Sequence, residues 1–211
     1  MPTTDAGDAG GGYPLGTVRA LLGTDWVTRS TRDALQARLE AHHPRSGRFF
    51  HPEALVTLRA ACARLVPQPH RENPIDIAGC IDDRLAGATG NGWRYDTMPA
   101  DEEAYRTGLA GLNETARLRY GAPFHLLGSP HQDDVLGRVQ RGEAEGKTWE
   151  MLPAPRFFEE LLAESVEFYY SHPLAQEEIG YVGMADVTGW HALGLDQLES
   201  REPPAGNQAH A

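Results

Sequence analysis

Residues 157–173 read FFEELLAESVEFYYSHP, and this stretch decides the fold class. Its apolar residues recur at the spacing of one helical face. The residues predicted to face inward are Phe157, Phe158, Leu161, Leu162, Val166 and Tyr169. Pro173 follows the predicted end of the helix. Because such a helix alone is marginal in water, it must pack against other elements.

The same helical pattern recurs in five further segments. They begin at about residues 30, 52, 74, 101 and 129. Ser30 or Thr31 is predicted to cap the first, which would run to about His42. Ser129 and Gln132 predict a capping box at the start of the fifth, with proline at its first position. No alternating strand pattern of useful length appears. The sequence therefore predicts an all-α fold, an irregular bundle of about six helices with disordered termini.

The domain organisation is predicted from composition. Residues 1–29 are predicted to be a flexible N-terminal extension, and residues 1–14 are rich in glycine. Residues 30–198 carry the helical patterns and are predicted to form a single helical domain. Residues 199–211, ESREPPAGNQAHA, are predicted to be a disordered tail.

The overall charge and hydropathy exclude several classes of partner. The chain has 211 residues and a formal net charge of −11, which argues against binding to nucleic acid or an anionic membrane. No apolar run approaches the roughly 20 residues that span a bilayer. The N-terminus shows neither a Sec signal nor a twin-arginine pair. We therefore expect cytoplasmic localisation as synthesised, with export only if a partner carries the chain.

Residue patterns that indicate catalysis are sparse. The histidines show no metal-binding spacing, and the adjacent pair His42-His43 is expected to point to different faces. Adjacent acidic doublets, such as Asp82-Asp83 and Glu177-Glu178, are interpreted as solvated helix faces. No GxSxG motif occurs, and the glycine-rich residues 87–92 follow a helix rather than a strand. We predict no catalytic, cofactor-binding or metal-binding residue in this chain.

The two cysteines, Cys62 and Cys80, each fall within an apolar helical pattern. They are interpreted as buried free thiols, with a disulfide between them or to a partner as the alternative. A metal or acid–base site assembled from distant helices is a competing hypothesis. Its best candidate residues are His125, His131, Asp133 and Asp134.

Residues 180–195 read GYVGMADVTGWHALGL, a glycine-punctuated strip with large apolar side chains. Such side chains need a surface to pack on, either within the chain or on a partner. Aromatic residues and methionine are enriched in interface cores. The predicted partner contacts are Tyr181, Met184, Trp190 and Leu193. For Trp190 the alternative is that it fastens the strip onto the chain's own helices.

Four stretches carry a resemblance to a known family. They are residues 49–67 (FFHPEAL through RLVP), residues 75–87, residues 105–124 (YRTGLAGL through YGAPF), and residues 157–173 followed by Gly189-Trp190. Their order over about residues 49–195 resembles the gluconate 2-dehydrogenase subunit 3 family. Members are small subunits of membrane-associated flavoprotein dehydrogenases acting on sugars and sugar acids. The chain departs from the family in lacking a twin-arginine leader and in residues 175–180, which are poorer in Gly and Asn.

The resemblance implies a small subunit that is not catalytic by itself and holds no cofactor. It would bind and stabilise a large, FAD-containing catalytic subunit of the glucose-methanol-choline (GMC) type, acting on a sugar or polyol. It would also assist the maturation of that subunit. The complex would be a hetero-oligomer with the flavin in the partner. The alternatives are a stand-alone helical adaptor and, less favoured, a metal-dependent helical-bundle enzyme.

Overall fold

The computed structural model describes residues 13–41, 43–44, 46–87, 97–187, 189–192, 194–195 and 197–202. Within these residues it contains eight α-helices, two short 3-10 helices and no strand, which confirms the predicted all-α fold. The α-helices are α1 (Thr17–Leu22), α2 (Arg29–Glu40), α3 (Pro52–Leu65), α4 (Ile77–Ala86), α5 (Asp101–Tyr120), α6 (Ser129–Arg141), α7 (Ala154–Tyr170) and α8 (Pro173–Glu178). The 3-10 helices are Phe124–Leu126 and Lys147–Glu150. None of the described helices is long and apolar enough to cross a membrane.

The chain divides into two compact units. One, here the central unit, is His42–Tyr169; the other, the terminal unit, combines Met1–Ala41 with Tyr170–Ala211. The single domain predicted for residues 30–198 spans parts of both units. Within the segment 1–29 that was predicted to be a flexible extension, residues 17–22 form helix α1, whose Val18, Leu21 and Leu22 are buried.

In the central unit, α3 packs against α4, α5 and α6, and α5 packs against α6 and the second 3-10 helix. On α7 the prediction of inward residues was wrong for Val166, which is 39% exposed, while Leu162 is half-buried and the other four are buried. The core of the unit is made of fully buried side chains. The largest are Leu55, Leu58, Ile81, Tyr105, Leu109, Leu112, Phe124, Val135, Leu152, Phe157 and Leu161. Helix α7 contributes the Phe157 side chain to this core. The Phe157 ring packs edge to face against the Tyr105 ring, with 5.9 Å between the ring centroids.

Two glycines let α5 approach its neighbours closely. A Cβ atom on Gly108 would lie 2.2 Å from the Phe157 ring, and one on Gly111 would lie 2.6 Å from the Trp149 ring. The indole of Trp149 also donates a hydrogen bond to Thr115 Oγ1 at 2.9 Å. Any side chain at these two positions would push the aromatic rings out of the core.

Three buried carboxylates organise the backbone and the core. Asp82 accepts the amides of Arg48 (2.5 Å), Phe49 (3.1 Å) and Phe50 (2.8 Å), and so fixes the turn that enters α3. Glu164 accepts hydrogen bonds from the Arg84 guanidinium and from the Tyr105 hydroxyl inside the core of the central unit. The third buried carboxylate, Glu177, accepts backbone amides in the terminal unit. The interpretation of Asp82 and Glu177 as solvated was therefore wrong, because backbone amides compensate their burial.

The helix ends differ from the sequence predictions in two places. Helix α2 begins after Thr28, whose hydroxyl accepts the Thr31 amide at 3.4 Å, and it ends at Glu40 rather than near His42. Helix α6 is preceded by Gly128 and has no side-chain cap. The capping-box prediction was wrong because the Gln132 amide group donates to Phe124 O at 3.1 Å instead of turning back to the helix start.

Candidate functional site

The terminal unit holds the strip that carries the predicted partner contacts. Its core brings together α1, α2 and the strip. The buried residues of this core are Val18, Leu21, Leu22, Val27, Leu35, Val182, Met184 and Ala185, with Tyr13 and Leu39 packed against them. Because Val182, Met184 and Ala185 are buried here, the strip packs on its own helices along one side and leaves Tyr181 and Trp190 exposed.

Glu177 of α8 fastens the N-terminus of α1. Its two carboxylate oxygens accept the amides of Gly16 and Val18, each at 2.9 Å, and its carbonyl accepts the amide of Tyr13 at 3.0 Å. A buried carboxylate at a helix start satisfies amides that have no partner within the helix. These hydrogen bonds join residues 13–18 to helix α8 within the terminal unit.

Asp186 of the strip fastens the N-terminus of α2. It accepts the Thr28 amide at 2.7 Å, the Thr28 hydroxyl at 2.9 Å and the Thr31 hydroxyl at 2.8 Å. The hydrogen bond from the Thr28 amide, with smaller contributions from the two hydroxyls, holds the pKa of Asp186 below its ordinary value. Next along the strip, the Val187 amide donates to Trp26 O at 2.9 Å.

Trp190 is held by Arg201 and remains partly open to solvent. The guanidinium carbon lies 4.2 Å from the centre of the Trp190 ring, a cation–π contact. Arg201 also donates to Val187 O at 2.9 Å and to Gly189 O. Trp190 keeps 37% of its surface exposed. One face of the Trp190 ring is therefore covered by its own chain and the rest is accessible, and its contact with a partner stays a prediction.

The other predicted contacts fall in different places. Tyr181 is 50% exposed, whereas Met184 is only 4% exposed and belongs to the core of the terminal unit. Leu193 lies outside the described residues, as do residues 88–92 of the glycine-rich loop. Other large apolar side chains of this unit are also exposed, although the sequence did not predict them as partner contacts. They are Leu15, Trp26, Tyr170, Ile179, Leu195 and Leu198.

The residues proposed for a metal or acid–base site are engaged elsewhere. Asp133 forms a two-point ion pair with Arg64, at 2.7 and 2.8 Å. Asp134 accepts the Tyr120 hydroxyl at 2.8 Å, and this bond, with those from arginines, lowers the pKa of Asp134. His131 stacks on the Tyr120 ring at 4.1 Å.

His125 takes no part in an assembled site either. Its Nδ1 atom is buried, and the described residues offer it no hydrogen-bond partner. Within the described parts of the chain, no group of three or more His, Cys, Asp or Glu side chains could hold a metal ion.

The family model for gluconate 2-dehydrogenase subunit 3 matches residues 52–189. This range covers α3 to α8 and the strip as far as Gly189, so it includes Tyr181 and ends directly before Trp190. The match confirms the resemblance found in the sequence. Neither a curated protein nor a solved structure matches the chain significantly.

Proposed function

Because the chain belongs to the gluconate 2-dehydrogenase subunit 3 family, we propose that it is a non-catalytic small subunit of a dehydrogenase complex. It binds and stabilises a large flavin-containing subunit of the GMC type that oxidises a sugar or polyol. The FAD belongs to the large subunit, and the two chains form a hetero-oligomer. The cellular location of this chain then follows that of its partner.

The observation that carries the proposal is the exposure of large apolar side chains along residues 179–198. Ile179, Tyr181, Trp190 and Leu198 are each between 37% and 53% exposed, and Leu195 is 94% exposed. Removing such surface from water is worth about 25 cal/mol per Å² of apolar area. Tyrosine and tryptophan are also the residues that most often anchor a protein interface. This segment is here called the docking strip.

The docking strip is held in place before any partner binds. Val182 and Met184 anchor it in the terminal core, Asp186 ties it to α2, and Arg201 holds the Trp190 ring. A side chain that is already ordered loses less conformational entropy on binding. The strip is therefore suited to present the ordered Trp190 ring to a partner, with Tyr181 exposed on the same segment.

The test is affinity for the flavin-containing subunit. Trp190→Ala should weaken binding by about 2 kcal/mol or more, which is roughly a 30-fold rise in Kd. The control is Leu126→Ala, which removes a more exposed apolar side chain from the central unit, where Leu126 is 68% exposed. The control should bind like the unaltered chain. Calorimetry or surface plasmon resonance with the purified subunits gives both values.

Two results would contradict the proposal. A chain that stays monomeric beside the flavin-containing subunit at micromolar concentration is not its partner, and the stand-alone adaptor would replace the proposal. Equal losses for Trp190→Ala and Leu126→Ala would remove the docking strip as the contact surface. The role in maturation is tested separately, by the yield of FAD-loaded large subunit expressed with and without this chain.

A further inference from the structure

Three side chains of the central unit form a line from a thiol to a carboxylate. Cys80 Sγ lies 3.4 Å from His43 Nε2, and His43 Nδ1 lies 2.7 Å from Asp83 Oδ2. The second carboxylate oxygen of Asp83 is 3.3 Å from Arg48 Nε. A nucleophile, a base within hydrogen-bonding distance and a third group that orients the base are the arrangement that activates cysteine. The Cys80 residue is partly exposed to solvent, whereas Cys62 is buried.

The residue before Cys80 makes room for this imidazole. A Cβ atom at Gly79 would lie 2.4 Å from His43 Cβ and 2.6 Å from an Asp76 carboxylate oxygen. Only glycine therefore lets His43 lie against α4 at this level. His43 comes from the segment before α3, so packing rather than local sequence brings it to the thiol.

Two carboxylates lie near the pair formed by His43 and Cys80. Asp83 faces the imidazole and orients the ring through its contact with Nδ1. Cys80 lies in the first turns of α4, where the helix dipole favours an anion. Asp76, at the N-cap of α4, would oppose that anion, but its carboxylate is paired with Arg59 of α3 at 3.3 Å.

The second cysteine supplies an internal reference. Cys62 is buried in the central core with its sulfur 3.7 Å from Ser165 Oγ. Burial raises the pKa of the Cys62 thiol to about 12, against a smaller opposing effect of the Ser165 hydrogen bond. A thiol in such surroundings is unreactive at neutral pH.

The backbone near Cys80 indicates which reaction the thiol can perform. The Gly79 amide already donates to Asp76 Oδ1 at 3.0 Å, and the Cys80 amide donates to Asp76 O at 3.1 Å. Acyl transfer needs free donors for the oxygen anion that develops in its transition state. Exchange with a disulfide places the developing charge on sulfur and has no such requirement.

We propose that Cys80, paired with His43 and oriented through Asp83, is a site of thiol–disulfide exchange with small disulfides of the glutathione type. The Cys80 thiolate attacks one sulfur of the disulfide, a new S–S bond forms, and the old S–S bond breaks. His43 accepts the proton that the Cys80 thiol loses, and the departing thiolate takes that proton from His43. Cys80 ends oxidised in a mixed disulfide, and one small thiol is released in reduced form.

The test is the rate of mixed-disulfide formation on the full-length folded chain with glutathione disulfide as the probe. Peptide mass spectrometry distinguishes Cys80 from Cys62 at each pH. Cys80 should react at least about tenfold faster than Cys62, and its rate should persist near pH 6, well below the ordinary cysteine pKa of about 8.5. His43→Gln should slow the reaction near pH 6 by about tenfold or more and move its pH dependence to that of an ordinary thiol. Asp83→Asn should act in the same direction, by a smaller factor.

The pH dependence of the Cys80 reaction rate in the unaltered chain tests the proposal even if a variant fails to fold. An inflection near the ordinary cysteine value, or a Cys80 rate no faster than that of Cys62, overturns the proposal. So does a folded His43→Gln chain with an unchanged profile. Cys80→Ser should abolish the adduct, and Cys62→Ser should leave its rate unchanged.

Discussion

At the scale of single residues, buried charge is the main feature of the central unit. Arg84 donates to both oxygens of Glu164 and to Asp101 at 2.8 Å, while the Tyr105 hydroxyl donates to Glu164. Burial raises the pKa of Glu164 above its ordinary value, against the opposing effect of these hydrogen bonds. The network connects α4, α5 and α7, so each member depends on the others.

Removing one charge from this network should cost much of the stability. Glu164→Gln leaves Arg84 in the core with an incomplete set of acceptors, and we expect the free energy of unfolding to fall by about 3 kcal/mol or more. Glu167→Gln changes the same residue type on the exposed side of α7 and should stay within about 0.5 kcal/mol. Urea unfolding followed by circular dichroism measures both. Equal losses for Glu164→Gln and Glu167→Gln would mean that the buried pair of Arg84 and Glu164 adds nothing to the free energy of unfolding.

At the scale of elements, the close approach of α5 to α7 depends on Gly108. Gly108→Ala should lower the free energy of unfolding by about 1–3 kcal/mol, because the new methyl group overlaps the Phe157 ring. Gly137→Ala in α6 is the matched control, since its Cβ would meet only the flexible end of Arg141, at 3.0 Å. There the change should stabilise the helix by up to about 1 kcal/mol. Thermal melts of the two variants should therefore shift in opposite directions; a shared direction would contradict this packing.

The link between Asp186 and α2 should depend on pH. The pKa of Asp186 is lowered in the folded chain, so its contribution to stability is present above the ordinary aspartate pKa of about 3.9 and is lost as the pH falls below it. Asp186→Asn should lower the melting temperature near pH 7, and the difference from the unaltered chain should shrink in acid. Asp33→Asn, on the exposed side of α2, is the control and should show little difference at either pH. A pH-independent difference for Asp186→Asn would contradict the role of its charge.

At the scale of the whole molecule, the family match crosses the two units. Residues 52–189 include most of the central unit. They also include α8 and the strip as far as Gly189 in the terminal unit, but not α1 and α2. The proposed docking surface lies in the terminal unit, and the reactive thiol lies in the central unit. Partner binding and thiol chemistry can therefore be tested by separate substitutions in one chain.

Hydrogen exchange can locate the docking surface in the intact complex. On binding the flavin-containing subunit, amides of residues 179–192 should exchange more slowly, because the docking strip loses contact with water. Amides at the end of α5 around Leu118, an exposed apolar residue of the central unit, should not change. Protection at Leu118 without protection of the strip would place the interface elsewhere.

The sequence by itself determined the helical fold and the family. Helical periodicity is a local property, so the stripe through Phe157, Leu161 and Tyr169 predicted the buried face of its helix. The order of four stretches along the chain predicted the family, and the family match over residues 52–189 confirms it. The aromatic content of the strip pointed to Tyr181 and Trp190 as contact residues, and their place on a partner stays a prediction.

Only the tertiary structure decided which polar groups meet. Glu177 reaches Gly16 and Val18 across most of the chain length, and His43 reaches Cys80 from a separate segment. Sequence spacing carries no record of such pairs, because they are set by how helices pack rather than by helical period. Met184 shows the same limit: its residue type suits an interface and a core equally, and burial against α1 and α2 assigned it to the core.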